Sequence, residues 1–196
     1  MEYILLIILG YLFGNLNPAH IISRTKKVDI RAVGSKNPGA SNITMTFGWK
    51  FGILTAFIDM AKGFVPVLIF SLLNYTDVQL LIVGTAAIIG HIYPVLFKFK
   101  GGKGTATFIG VMLALNPLFG FILGCTIVIL TILTDYIAIG TIAMMILWGV
   151  LAFLNYEINF FLIALIIPFI SVYKHIPNVI KIIKKQESGL RNTFKK

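Results

Sequence analysis

Residues 105–133 read TATFIGVMLALNPLFGFILGCTIVILTIL, an uncharged stretch whose division decides how often the chain crosses a membrane. It exceeds the roughly 20 apolar residues that one helix needs to span the hydrocarbon core. Asn116-Pro117 is the natural break, because proline removes a backbone donor and disfavours the helical conformation in the residue before it. The stretch therefore reads as two helices, 105–115 and 117–133. At 1.5 Å per residue the first is only about 17 Å long against a core of about 30 Å. A loop dipping inward or local thinning of the bilayer must compensate.

Composition places the whole chain in a membrane. Its 196 residues are 58% hydrophobic and 12% charged, with a mean hydropathy of +0.92, far more apolar than a soluble domain of this size. The net charge of +10 would suggest nucleic acid in a soluble protein. Here the cations gather between apolar spans, which is a topology signal and argues against a nucleic-acid partner.

The clusters set the orientation. Arg24, Lys26, Lys27, Arg31, Lys36 and Lys50 form one, Lys98, Lys100 and Lys103 a second, and Lys174, Lys181, Lys184, Lys185, Arg191, Lys195 and Lys196 a third, so that of the 17 cations only Lys62 stands apart. The opposite-side segments carry Glu2, Asp77 and Glu157 and no Lys or Arg. All three clusters are expected on the cytoplasmic side, with the N-terminus outside. Spans at 3–23, 51–73 and 80–97 bring the chain to the second cluster, and an even number of crossings must then reach the third. With 136–154 and 158–173 as clear spans, the Asn116-Pro117 split makes seven helices, with the C-terminus inside; five or six are the alternatives. Residues 1–196 read as a single polytopic membrane domain. The first span lacks a positive leader and reads as an uncleaved anchor. Cys125, the sole cysteine, reads as ordinary packing.

Three segments on the cytoplasmic side carry the polar chemistry. DIRAVGSKNPGASN at 29–42 is rich in Gly, Ser and Asn; composition alone fits a solvated turn region equally well. GHIYPVLFKFKGGKGTAT at 90–107 combines glycines, whose amides can converge on an anion, with lysines and no acid. It is not a nucleotide-binding P-loop, because Gly104 follows Lys103 where that motif needs Ser or Thr. The plainer reading is a basic loop drawn to anionic headgroups. YKHIPNVIKIIKKQE at 173–187 places His175 and Asn178 three apart, with Pro177 suggesting the first turn of a helix. On its own it reads as a basic amphipathic tail.

Taken in order with DMAKG at 59–63, these motifs resemble the bacterial acyl-phosphate:glycerol-3-phosphate acyltransferases over nearly the whole chain. The resemblance implies a seven-helix enzyme of the bacterial inner membrane with its active site at the cytoplasmic face. It implies transfer of a fatty acyl group from acyl phosphate to the 1-hydroxyl of glycerol 3-phosphate, giving lysophosphatidic acid and phosphate, the first acylation of phospholipid synthesis. No cofactor or metal is implied. The partners are the two substrates, the bilayer and an enzyme that forms the acyl phosphate.

Carried over by motif position, Ser35, Lys103 and His175 are the catalytic residues. Lys36, Asn37 and Asn42, with Ser35, would bind phosphate. Lys103 with the amides of Gly101, Gly102 and Gly104 would hold the acyl phosphate, and Thr107 would add a hydroxyl. His175 and Asn178 would orient glycerol 3-phosphate, with Glu187 a further binding residue. The chain departs from the family pattern at Met45, where an arginine is usual, at Lys36, where a glycine is usual, at Ala138 in place of a serine and at Lys181 in place of an arginine. The loss of a cation at 45 and its gain at 36 suggest a relocated phosphate-binding charge.

Asp59 and Lys62, three apart within a span, read as a structural pair; a transporter would use such charges in an ion path. His91 reads as a helix-end hydrogen-bonding group and His20 as interfacial. A small membrane transporter or a non-catalytic lipid-binding membrane protein is the alternative to the enzyme.

Overall fold

The computed structural model describes residues 1–194. Lys195 and Lys196, part of the third basic cluster, lie outside the described residues. The chain is helical and divides into two compact units, Met1–Leu115 and Asn116–Lys196.

The first unit holds α1 (Glu2–Gly14), α2 (Pro18–Thr25), α3 (Ala40–Phe47), α4 (Trp49–Leu72), α5 (Asp77–Ile92), a 3₁₀ turn at Val95–Phe97 and α6 (Thr105–Leu115). The span expected at 3–23 is therefore two helices. Asn17 caps α2 by accepting the N–H of His20 at 3.1 Å, and Pro18 occupies the first helical turn, where its missing donor costs nothing. The carbonyl of Leu16, left at this break, accepts a hydrogen bond from Lys62. That contact explains a lysine within a span, because a polar backbone group at membrane depth must find a protein partner.

Small residues let the helices of this unit approach closely. An added Cβ at Gly14 would strike the carbonyl of Ala87, and one at Gly90 the carbonyl of Tyr11, so α1 and α5 meet backbone to backbone. Gly63 on α4 likewise faces the Thr107 carbonyl, and Gly110 on α6 faces the Met60 carbonyl. Along α5, Val111 lies over Gly84 while Gly104 lies beside Ile88 and Ile92, so α6 runs back antiparallel to α5.

The second unit holds α7 (Pro117–Thr134), α8 (Ile137–Asn155), α9 (Ile158–Ala164), α10 (Ile166–Ile183) and α11 (Leu190–Phe194). The expected split of 105–133 is present: Asn116 is extended and accepts the N–H of Phe119 at 3.1 Å, and Pro117 opens α7. Trp148 fills the angle between α8 and α9, its Nε1 donating to the Ala164 carbonyl at 3.2 Å. Pro177 does not start a helix, contrary to expectation. It lies inside α10, which runs on to Ile183.

Among the described residues, six helical segments are long and apolar enough to cross a membrane: Glu2–Thr25, Trp49–Leu72, Asp77–Phe97, Pro117–Thr134, Ile137–Asn155 and Ile158–Ile183. The remaining expected span, α6, is a separate apolar helix of 11 residues. Phe57 in one unit and Phe121, Phe153 and Phe169 in the other are exposed, an arrangement suited to lipid as solvent.

Candidate functional site

The loop at 26–39 is shaped by Asn42. This side chain is fully buried: its Oδ1 accepts the Ser35 N–H at 2.9 Å, and its Nδ2 donates to the carbonyls of Ile30 at 2.9 Å and Val33 at 3.0 Å. Both of its donors are committed, so Asn42 organises the loop and does not reach a phosphate as expected. Gly34 sits at φ +57 directly against Asn42, where any side chain would collide with Oδ1. Beyond it, Ser35 and Lys36 are exposed and Asn37 is half-buried, just before α3. Lys36 has φ +60, the left-handed region that favours glycine. At the loop's start Arg31 grips Asp29 through its main chain and guanidinium, with bonds of 3.0 to 3.2 Å. Those bonds hold the exposed Asp29 carboxyl below its ordinary range.

The glycine-rich loop leaves α5 through the 3₁₀ turn and two left-handed residues, Lys98 and Phe99. The N–H of Gly101 donates to the Ile92 carbonyl at 3.1 Å and that of Gly102 to the His91 carbonyl at 3.2 Å. These two amides therefore close the end of α5 and do not converge on an anion as expected. Gly104 has φ +84 and packs on Ile88 and Ile92, and α6 begins at the next residue. The first N–H groups of a helix have no partner within it. Lys103 is half-buried just before the mouth of α6, whose opening amides are of the kind that can receive an anion. Thr107 lies in the first turn of α6 and is fully buried, its Cγ2 and carbonyl against Gly63, while its hydroxyl has no hydrogen-bond partner among the described residues.

Behind the loop lie the charges that the sequence reads as a structural pair. Asp59 Oδ1 is 2.9 Å from Lys62 Nζ, and it is also 3.3 Å from His91 Nδ1. His20 is buried and stacks on Phe97, with ring centroids 4.3 Å apart. It braces the 3₁₀ turn.

In the second unit His175 is buried on α10, its Nδ1 2.8 Å from the Ser171 carbonyl. A carbonyl only accepts, so Nδ1 carries the proton and Nε2 is the acceptor nitrogen of the neutral ring. Asn178, one turn on, donates to Glu187 at 2.6 Å and ties α10 to the chain leading into α11. Asp135, which the sequence reading does not single out, holds α11 itself. Its Oδ1 accepts the Arg191 N–H at 2.7 Å and its carbonyl that of Leu190 at 2.8 Å, from a left-handed conformation with φ 72. An aspartate two residues after a span was the available signal, since Asp tolerates that conformation and accepts from backbone. Ala138 is buried in the first turn of α8, and Thr141 returns its hydroxyl to the Ile137 carbonyl at 2.9 Å.

Comparison with known proteins gives a consistent result. The family model for glycerol-3-phosphate acyltransferase matches residues 4–185. Glycerol-3-phosphate acyltransferase 1 of Oceanobacillus iheyensis is 33% identical over 100% of this chain and 99% of its own length. The Finegoldia magna glycerol-3-phosphate acyltransferase is 37% identical over 97% of this chain and 98% of its own. Among solved structures, PlsY, an integral membrane glycerol 3-phosphate acyltransferase, matches in its glycerol 3-phosphate form with a TM-score of 0.90 and 33% identity, covering 97% of this chain and 96% of that one. Its lysophosphatidic acid form matches with a TM-score of 0.88 and 31% identity, each chain covered in full.

Proposed function

The chain belongs to the glycerol-3-phosphate acyltransferase family, and on that premise we propose that it acylates the 1-hydroxyl of glycerol 3-phosphate with a fatty acyl phosphate as direct donor. The ester C–O bond forms as the acyl C–O bond to phosphate breaks, and lysophosphatidic acid and inorganic phosphate leave. The observation that carries the reading is the match over residues 4–185 to a family of acyltransferases. Membership in an enzyme family decides against the transporter and the non-catalytic lipid-binding protein.

Lys103 supplies the charge that meets the donor's phosphate and offsets charge developing at the carbonyl oxygen, aided by the amides that open α6. Gly101 and Gly102 contribute the loop's shape. Ser35, Lys36 and Asn37 offer a hydroxyl, a cation and an amide to phosphate, on a loop that Asn42 holds in place. His175 and Asn178 orient glycerol 3-phosphate, with Glu187 fixing the Asn178 amide. The Nε2 of His175 accepts the hydrogen bond of the attacking hydroxyl, and the departing phosphate is the final proton acceptor. Positioning and charge stabilisation thus carry the catalysis, and a good leaving group lightens the demand for a strong base. In the membrane the chain makes seven crossings with its N-terminus outside and the polar motifs on the cytoplasmic side of the bacterial inner membrane, where an acyl-phosphate-forming enzyme supplies the donor.

The donor assignment is tested by giving the purified protein glycerol 3-phosphate with palmitoyl phosphate, palmitoyl-CoA or palmitoyl-acyl carrier protein in turn. Lysophosphatidic acid is expected from palmitoyl phosphate alone. Equal product from either thioester would overturn the assignment.

A further inference from the structure

Asp135 ends α7, where a negative charge meets the negative end of the helix dipole. Its left-handed backbone, φ 72, would be served as well by glycine or asparagine. What the aspartate adds is a grip on the chain beyond α10. Its Oδ1 accepts the Arg191 N–H at 2.7 Å and its carbonyl the Leu190 N–H at 2.8 Å. Its carboxylate also lies so close to Gly189 that a Cβ there would strike Oδ2. Gly189 is buried, whereas Lys184, Lys185, Gln186 and Ser188 before it are exposed. One residue thus pins three in succession.

The pinned residues begin two positions after Glu187, whose carboxylate accepts the Asn178 amide at 2.6 Å. On its other side Glu187 follows the turn that ends α10, where Lys185 is left-handed at φ 56 and the Gln186 N–H returns to the Lys181 carbonyl at 2.7 Å. The returning chain is therefore fastened by α10 before Glu187 and by Asp135 after it. Only Ser188 separates Glu187 from Gly189, and so short a link leaves the Glu187 backbone little freedom.

We propose that Asp135 is a positioning residue that acts on Asn178 through residues 187–191. Asp135 seats residues 189–191, their seating holds the Glu187 carboxylate on the Asn178 amide, and the amide keeps its place three residues from His175 on the same helix. Asp135 itself does not touch substrate. The proposal rests on the reading above in which Asn178 orients glycerol 3-phosphate. It makes a demand that anchoring α11 alone does not: loss of the Asp135 carboxylate must slow turnover, and only while Asn178 is present.

The test is steady-state kinetics of the purified full-length protein with palmitoyl phosphate and glycerol 3-phosphate, on wild type, Asp135→Gly, Asp135→Asn, Asn178→Ala and the double variant Asp135→Gly with Asn178→Ala. Asp135→Gly keeps the left-handed turn unstrained and removes the side-chain acceptor, whereas Asp135→Asn keeps both. Asp135→Gly is expected to lower kcat/KM for glycerol 3-phosphate by about fivefold or more, the ratio for one lost hydrogen bond. Asp135→Asn should stay within about twofold of wild type, and adding Asp135→Gly to Asn178→Ala should cost less than about twofold more, because the residue it acts through is gone. Where Asn178→Ala is too slow to follow, calorimetric binding of glycerol 3-phosphate is read in the same proteins against the same expectations. Where Asp135→Gly does not fold, Leu190→Pro replaces it in the cycle, since it removes the other donor of the clamp and puts proline in the first turn of α11, where it is tolerated. Wild-type kinetics in the folded clamp variant, or a loss that recurs undiminished in the Asn178→Ala background, would overturn the proposal. An Asn178→Ala protein with wild-type kinetics would instead bring down the reading of Asn178 and this proposal with it. An impaired Asn178→Ala beside an unimpaired Asp135→Gly brings down the proposal alone.

Discussion

Asn42 and Ser35 are joined by a hydrogen bond from the Ser35 N–H to the Asn42 side-chain oxygen at 2.9 Å, and through it a buried residue of α3 fixes an exposed serine seven positions earlier. With the two bonds from Nδ2 to Ile30 and Val33, this one side chain satisfies three main-chain groups of a loop that has no secondary structure of its own. Asn42→Ala leaves those groups unpaired and is expected to lower stability by about 1–3 kcal/mol. Thermal unfolding of the purified protein in detergent checks it, and activity should fall with the loop.

Lys36 adopts φ +60 where glycine would be unstrained. Lys36→Gly is expected to leave stability unchanged or raise it by about 1 kcal/mol, because the relief of strain is partly offset by glycine's greater freedom in the unfolded chain. The same variant should raise KM for a phosphorylated substrate if the lysine replaces the cation missing at Met45, and adding Met45→Arg should restore it. Unchanged kinetics in Lys36→Gly would show that the site dispenses with this charge.

Lys103→Ala is expected to lower the rate by about 10²- to 10³-fold while the unfolding temperature stays close to wild type. A well-folded Lys103→Ala protein of near-normal activity would place the phosphate site elsewhere.

Asp135→Ala removes the acceptor for the Arg191 N–H and puts alanine at φ 72. The amides of Leu190 and Arg191 are expected to exchange with deuterium faster in this variant, by at least about fivefold if one hydrogen bond of about 1 kcal/mol is lost. Unaltered exchange would show that α11 is held by other contacts.

The orientation is checked with cysteines placed in residues 74–79 and at Asn155 in a Cys125→Ala background. Both should react with an impermeant thiol reagent in intact cells, and one at Lys195 should not. Labelling at Lys195 from outside would contradict the seven-crossing arrangement.

Much of the fold was legible because its signals are local. Asn116-Pro117 reads as a helix break and is one, with Asn116 capping and Pro117 in the first turn. The same dipeptide stands at Asn17-Pro18 and does the same thing, yet it sits inside a run short enough to pass for one span, so length masked the break. Asp59 and Lys62 were recognisable as a pair from their spacing. That Lys62 reaches Leu16 and that His91 joins Asp59 depends on helices brought together by tertiary packing, which spacing does not encode. The site residues divide the same way. Ser35 and Lys36 are exposed on the loop surface, whereas the Asn42 side chain and the amides of Gly101 and Gly102 are spent inside the protein. Composition cannot tell a donor aimed at a ligand from one that closes a helix.

The central claim, acyl transfer directly from acyl phosphate, is tested most directly by quantifying phosphate and lysophosphatidic acid in one reaction of the purified protein with palmitoyl phosphate and glycerol 3-phosphate, without CoA or acyl carrier protein. The account expects both products in equal amounts, with both lost together in Lys103→Ala. Phosphate released without lysophosphatidic acid, or no release at all from folded wild-type protein, would contradict it.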